Sequence, residues 1–237
     1  STSGETWTLL DNASIFQPPV DDKNSFGYLA EKASTNLLLQ SEDFSSASWV
    51  KQDVTVAANA AVAPDGTSTM DRLAVSAVGG YHNVYQSNPV AIGTNYTYSV
   101  YMKDDGAGFG GITFGSGNDA ISVVVDLSTG LVTDTHVGAS SGTIVATGCE
   151  DVSNGIYRVW ISGNIGSSNG FMIPFLSNAA VPSVWSNGRP SYTGVAGEDI
   201  LIWGAQAELG TYPTSYIATT TTAVTRNADV LTGPFAY

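Results

Sequence analysis

From Thr35 to Leu209, short runs of alternating apolar and polar residues are separated by clusters of Gly, Pro, Asn, Asp and Ser. Strand side chains alternate between two faces, so each such run buries one face, and the frequent turn residues leave no room for long helices. In "NYTYSVYMKD", Tyr96, Tyr98, Val100 and Met102 share a face, with Thr97, Ser99, Tyr101 and Lys103 on the other. "AISVVVDLSTGLVTDT" reads as a hairpin about residues 126–130, with Ile121, Val123, Val125 and Leu127 inward. "GIYRVWISGNI" sets Tyr157, Val159 and Ile161 against Arg158 and Trp160. Strict alternation in "EDILIWGAQAEL" groups Leu201, Trp203, Ala205, Ala207 and Leu209, and turns Gln206 and Glu208 the opposite way. About ten strands joined by short turns predict an all-β protein, an antiparallel two-sheet β-sandwich of jelly-roll type.

The sandwich is expected over residues 36–210. Residues 1–35 carry little periodicity and read as an extended arm with a short helical turn near residues 30–33. Residues 211–237 read as a strap and edge strand of the same domain. Gly210 ends the last run, Pro213 breaks the ladder, and Tyr212, Tyr216 and Ile217 offer anchors. Arg226 and Asp229 would guard the Thr-rich edge strand against stray pairing. Arm and strap together are expected to cover sheet edges, within the chain or against a neighbour.

Charge narrows the partners. Asp and Glu number 21 against 8 Lys and Arg, for a net charge of −13. A nucleic-acid partner needs Lys and Arg to displace condensed counterions, so no nucleic acid is expected, and no anionic membrane surface. No apolar run is long enough to span a bilayer, so no membrane insertion is expected. Weak binding to anionic polymers at low salt follows, unless a divalent metal bridges the charges. Cys149 is the only cysteine, so no disulfide forms within the chain, which suits a bacterial or phage product or a reducing cytosol.

A sugar offers apolar C–H faces ringed by hydroxyls, so its site needs an aromatic platform with amides or charges at the rim. The faces turned from the core present Tyr101, Trp160 and Arg158, with Gln206 on the last strand. The competing reading has Trp160 packed beneath the arm or the tail. The loop "SVWSNGRPSYTG" gathers Trp185, Asn187, Arg189 and Tyr192, either as a recognition tip or as a lid on the sandwich end. Asp104, Asp105, Asn118 and Asp119 flank one strand and are the candidate ligands for a structural Ca2+, with ordinary Asp and Asn turn chemistry as the alternative.

Several blocks resemble known families. "TNLLLQSEDFSSASW" and "YTYSVYMKDDG" are similar to the opening and central strands of jelly-roll carbohydrate-binding modules. "TNLLLQSEDFSSASW", "DLSTGLV", "SNGIYRVWIS" and "ILIWGAQAELGTYPTSYI", followed by "TTTTAVTRNADVL", resemble in order the blocks of jelly-roll domains in tailed-phage structural proteins. The resemblance implies a virion component of tail-fibre or head-fibre type, otherwise an extracellular protein. It also implies carbohydrate on a host or environmental surface as partner, alongside other virion subunits, by analogy as a homotrimer. The alternative is a structural or decoration component without sugar binding. The Asp pair that the carbohydrate-binding modules carry in their last strand is replaced here by Gly204-Ala205, which puts an inherited calcium site at that place in doubt.

Catalysis is not expected. Glycoside hydrolysis needs two carboxylates across the sugar, and adjacent acids such as Glu42-Asp43 or Glu198-Asp199 point to opposite faces of a strand. A lyase would need a base beside Arg and Gln; His82, Gln86 and Arg158 are the residues that could supply it. A polysaccharide lyase or hydrolase is therefore carried as the remaining alternative.

Overall fold

The structure, a computed structural model, describes residues 13–16, 28–140 and 142–230, with side chains from residue 30 onward. Its body is an antiparallel β-sandwich of two six-stranded sheets. In chain order the strands are β1 (Val50–Gln52), β2 (Val54–Ala61), β3 (Met70–Val75), β4 (Asn83–Pro89), β5 (Tyr96–Asp105) and β6 (Phe109–Phe114). They continue with β7 (Ile121–Asp126), β8 (Leu131–Val137), β9 (Thr143–Asp151), β10 (Ile156–Asn164), β11 (Asn169–Ser177) and β12 (Asp199–Leu209). The first sheet runs β8-β7-β6-β11-β4-β1 and the second β9-β10-β5-β12-β3-β2.

Local chemistry sets the turns. In Pro64-Asp65-Gly66, Asp65 Oδ1 accepts from the Thr67 amide at 2.9 Å and hydroxyl at 2.7 Å, and Gly66 takes φ +87°. Between β7 and β8, Asp126 Oδ1 accepts from the Ser128 amide and hydroxyl, while the Gly130 amide reaches the Asp126 carbonyl. Asp side chains that replace a backbone acceptor in this way favour turns over ladders.

The inner faces meet in one core. Val100, Met102, Ile112, Ile121, Val123, Val159, Ile161 and Ile202 are buried within it, and Tyr98 stacks on Phe114 at 4.4 Å. Leu38, Phe44 and Trp49 join this core from the segment before β1, with the Phe44 and Trp49 rings 4.7 Å apart. Full burial of one such side chain stabilises the fold by roughly 1.5–3 kcal/mol.

Strict alternation fails in β12. Trp203 pairs with Tyr101 and Gln206 with Ser99, so Gly204 and Ala205 together stand opposite Val100. This bulge reverses the facing of the strand. Ile200 and Ile202 point into the core before it, and Ala205 and Ala207 after it. Leu201 and Trp203 consequently turn outward with Gln206 and Glu208, instead of grouping with Ala205 and Ala207. Gly204 adopts φ +63°, and a Cβ there would stand 2.9 Å from the Tyr101 ring and 3.4 Å from Tyr216. Bulges of this kind require a residue free of side-chain clashes.

The outward aromatics form a second apolar cluster of Met70, Tyr101, Leu201, Trp203 and Ile156, closed by Tyr216 from the strap. Thr214 fixes that strap. Its amide and hydroxyl donate to the fully buried Glu208 carboxylate at 2.8 and 2.7 Å, which also accepts from Ser34 and Gln206. Gln206 Oε1 accepts from the Ile217 amide at 2.7 Å. The buried Asn36 amide bridges strand and strap, donating to the Ala205 and Ile217 carbonyls and accepting from the Ala207 amide.

With its anchors Tyr212, Tyr216 and Ile217, the 212–219 portion of the strap lies across a sheet face, over the large aromatics that the β12 bulge leaves there. Among its described residues, only Val224–Arg226 forms a strand pair, with Ser34–Asn36, where Arg226 forms an ion pair with Glu31. The Asp229 carboxylate accepts from the Glu31 amide at 3.0 Å. Most of the expected arm, residues 1–35, falls outside the described residues. Within it, Ala13–Phe16 pairs antiparallel with Tyr28–Glu31, so strand replaces the helical turn expected near residues 30–33.

Candidate functional site

Tyr101, Trp160, Arg158 and Gln206 do lie on the outer face of the second sheet, at 8%, 7%, 6% and 0% exposure. Tyr212 packs on Trp160 at 5.5 Å, and Tyr216 meets both Tyr101 and Trp203. They are interior residues beneath the strap, and they form no open platform. Arg158 donates to Ser99 at 3.1 Å and lies over the Tyr101 ring.

The proposed cation ligands do not converge. Asp104 and Asp105 precede β6, whereas Asn118 and Asp119 follow it, so the length of that strand separates them. Asp104 Oδ1 accepts from the Gly106 and Gly108 amides, Asp105 pairs with Arg72, and Asp119 Oδ1 accepts from the Gly166 amide. Asx-turn chemistry accounts for Asp104. Among the described residues, no group of three or more His, Cys, Asp or Glu could hold a metal ion.

Nor do the candidate lyase residues meet. His82 is buried, with Nδ1 2.9 Å from the Asp53 carbonyl and Nε2 3.3 Å from that of Tyr192, whose ring packs on it at 4.6 Å. Gln86 bonds both backbone groups of Leu39, and Arg158 belongs to the other sheet. Three acids, Glu42, Asp43 and Asp71, do line one hollow. All three are engaged by neighbouring donors. Asp71 accepts from the Phe44 and Asn59 amides, Asp43 from Ser45 and Ser46, and Glu42 from the Tyr216 hydroxyl.

The open aromatic surface lies on the first sheet. There β11 turns Phe171, Ile173 and Phe175 away from the core, and β4 turns Tyr85 the same way. Part of this face is covered by the segment before β12. The Gly188 carbonyl accepts from the Thr113 and Ser122 hydroxyls, and Trp185 stands edge-on to Phe175. Trp185 also stacks parallel on His136, with ring centroids 4.4 Å apart. Burial lowers the His136 pKa below its ordinary 6.5, against the pull of Asp134.

The covering segment is a hairpin. Trp185–Ser186 pairs with Arg189–Pro190 through Asn187 and Gly188, at φ +50° and +77°. Two left-handed residues make the Asn-Gly turn whose twist suits a tight antiparallel pair. Exposed Asn187 donates to the Tyr81 hydroxyl at 2.9 Å, and Ser186 shares a 2.7 Å hydrogen bond with the same group. Arg189 follows directly and lays its guanidinium on the Tyr81 ring, 4.2 Å from the centroid.

Beside this hairpin runs a groove of about 240 Å³ lined by Gln52, Tyr85, Ser116, Phe171, Ile173 and Arg189. Tyr85 and Phe171 meet edge to face at 5.9 Å and are only half-buried. Arg189 donates from Nη1 to Gln52 at 3.1 Å and to Asn83 at 3.4 Å. Its burial depresses its pKa, which the neighbouring Tyr81 and Tyr85 oppose. Chemically the groove offers ring surfaces, an amide, a hydroxyl and one cation.

Of the residues expected from sequence, Arg189 lines the groove, Trp185 and Asn187 form the hairpin beside it, and Tyr192 packs on His82 and pairs with Gly80. Of the lining pair, Tyr85 shares a strand face with Tyr81 and Asn83 in "YHNVYQ", where alternation favours core packing of the tyrosines, and Phe171 is not distinguished by alternation. One signal pointed that way: "GFMIPFLS" is apolar on both faces, the mark of a strand covered, or binding, on its outer side.

No family model matches the chain, and no curated protein matches it. Distant likenesses to solved structures include these two. One is the enzymatically active domain of bacteriophage CBA120 tailspike protein 4, at 16% identity and a TM-score of 0.38, over 72% of this chain and 20% of that one. The other is the Clostridium thermocellum endo-1,4-β-D-xylanase 10B, solved as CBM22-1–GH10 modules complexed with xylohexaose, at 12% identity and a TM-score of 0.39. That match covers 78% of this chain and 29% of the xylanase chain. The chain thus spans less than a third of either, and likeness at this level carries no argument about ligand or chemistry.

Proposed function

We propose that this β-sandwich binds carbohydrate, without cleaving it, in the groove lined by Tyr85 and Phe171, and that it does so as part of a phage virion of tail-fibre or head-fibre type. The single observation that supports the binding is the half-buried aromatic pair with Gln52, Ser116 and Arg189 at its rim. Ring faces take the apolar side of a sugar while amides and hydroxyls take its hydroxyls. No carboxylate is among the groove's lining residues, so the acid and base of glycoside hydrolysis have no source there. The virion assignment rests on the ordered sequence blocks quoted above.

A glycan array on the intact protein, followed by calorimetry with Tyr85→Ala and Phe171→Ala, tests the reading. Binding that each variant weakens on the order of tenfold supports it, since stacked aromatics are the costliest contacts to remove. Binding that neither variant changes contradicts it. Incubation with the same glycans, assayed for new reducing or unsaturated ends, tests the absence of cleavage.

A second reading has its own observation. Leu131, Val132 and Val137 on β8 and Val145 on β9 are exposed at 64%, 39%, 46% and 46%, along the edges where both sheets end. Exposed apolar edges suit contacts between virion subunits, including a homotrimer. Sedimentation of wild type and Leu131→Lys measures it: a shift to smaller species supports subunit contacts there.

A further inference from the structure

The groove contains one charge, and among the described residues no carboxylate pairs with it. Arg189 is 8% exposed, its face rests on Tyr81, and its Nη1 donates to two neutral acceptors, Gln52 and Asn83. Its Nε is buried and finds no acceptor, and neither does Nδ2 of the fully buried Asn83 beside it. Two other arginines are ion-paired, Arg72 with Asp105 and Arg226 with Glu31, whereas Arg158, beneath the strap and away from the groove, has only the neutral Ser99. Among the described residues no carboxylate pairs with Arg189, in a chain carrying 21 acids. Burying a guanidinium with no counter-charge is costly, and an anion seated with good hydrogen-bond geometry offsets part of that cost.

We propose that the groove selects saccharides bearing a ring carboxylate, hexuronates and their relatives, with Arg189 as the specificity-determining cation. This narrows the carbohydrate-binding reading and rests on it. Gln52 and Asn83 occupy Nη1, so the edge left over is the one carrying Nε. That edge meets a planar two-oxygen carboxylate side-on, through parallel hydrogen bonds. On this proposal the guanidinium turns over the Tyr81 ring to present that edge to the groove. The sugar ring then lies against Tyr85 and Phe171, and Gln52 and Ser116 take its hydroxyls.

The chain's net charge of −13 acts in the opposite sense, but at a different distance. Repulsion of an acidic polymer operates over the Debye length, about 8 Å at physiological ionic strength, whereas the arginine acts at contact. Screening therefore removes the long-range penalty before it removes the local selection.

The test is calorimetry at physiological ionic strength with galacturonate, glucuronate, mannuronate and guluronate oligosaccharides, each paired with its carboxyl-reduced neutral counterpart. The expected result is that at least one acidic member binds tighter than its neutral partner, on the order of tenfold or more. Arg189→Gln should erase the preference and Arg189→Lys should keep part of it. If Arg189→Gln does not fold, the wild-type preference still decides, together with the Arg189 Nε–H resonance, which should move on adding the acidic sugar. Equal binding of acidic and neutral partners overturns the inference and leaves carbohydrate binding standing. So does binding confined to neutral glycans on the array. Failure of every saccharide, acidic and neutral, overturns both.

Discussion

The Arg189 guanidinium lies 4.2 Å from the centre of the Tyr81 ring, and the hydroxyl of that ring is held by Ser186 and Asn187 from Arg189's own hairpin. The tyrosine is at once the floor for the cation and the peg for the turn that delivers it. A cation over an aromatic face gains roughly 0.5–2 kcal/mol, more as the site dries.

Tyr81→Phe keeps the floor and loses the peg, so saccharide affinity should fall less than about threefold. Tyr81→Ala loses both and should cost on the order of tenfold. Calorimetry on the folded variants measures the difference, and equal losses would contradict the division of roles.

Trp160 and Tyr101 lie beneath the strap, so Trp160→Phe and Tyr101→Phe should leave saccharide affinity unchanged. Tyr212→Ala should uncover Trp160, which its ring now meets at 5.5 Å, and raise acrylamide quenching of tryptophan fluorescence. Quenching that stays at the wild-type level would mean that the strap is not the cover.

Glu208 holds the strap through two different sets of donors. On Oε1 it accepts from the Thr214 amide and Gln206, and on Oε2 from the Ser34 and Thr214 hydroxyls. Hydroxyls can turn to accept from an amide, whereas a backbone N–H cannot. Glu208→Gln should therefore cost roughly 1 kcal/mol and Glu208→Ala roughly 3 kcal/mol. Urea denaturation measures both, and the reverse order would refute this account of the strap.

Burial is the main cause that raises the Glu42 carboxyl above its ordinary 4.5; the hydrogen bond from Tyr216 opposes it and Asp65 adds to it. A carboxyl that holds its proton more tightly when folded stabilises the fold fully below 4.5, and that contribution is lost as pH rises through the raised folded value. Asp71, raised from 3.8 mainly by burial, acts in the same direction. Glu42→Gln keeps an acceptor for Tyr216 and removes the titration. Urea midpoints from about pH 4 to about pH 7 should then fall less steeply than in wild type. Parallel slopes would contradict the assignment.

Much of the sandwich was legible because alternation has a rigid physical cause. The inward sets on β5, β7 and β10 follow from period two alone. Alternation also misgrouped Leu201 and Trp203 with Ala205, because Gly204 adds a residue opposite Val100 and reverses the facing. Sequence marks a glycine there and does not say that the ladder shifts. The candidate site was less legible for a related reason. Polar alternation placed Tyr101 and Trp160 on an outer face, but whether an outer face meets water depends on where a distant strap lies. Tyr85 and Phe171 come from strands far apart in sequence, and their meeting is set by sheet order. The Asn187-Gly188 turn was readable, and the partner its arginine would find was not.

On the proposed reading the first sheet's groove, and not the strap-covered second sheet, takes the sugar. The most direct measurement is chemical-shift mapping of the isotope-labelled protein titrated with the saccharide ranked first on the glycan array. Shifts centred on Tyr85, Phe171, Gln52, Ser116 and Arg189 are expected, with none at Tyr101 or Trp160. Shifts centred on Trp160 and the strap, or an array that yields no binding saccharide, would contradict it.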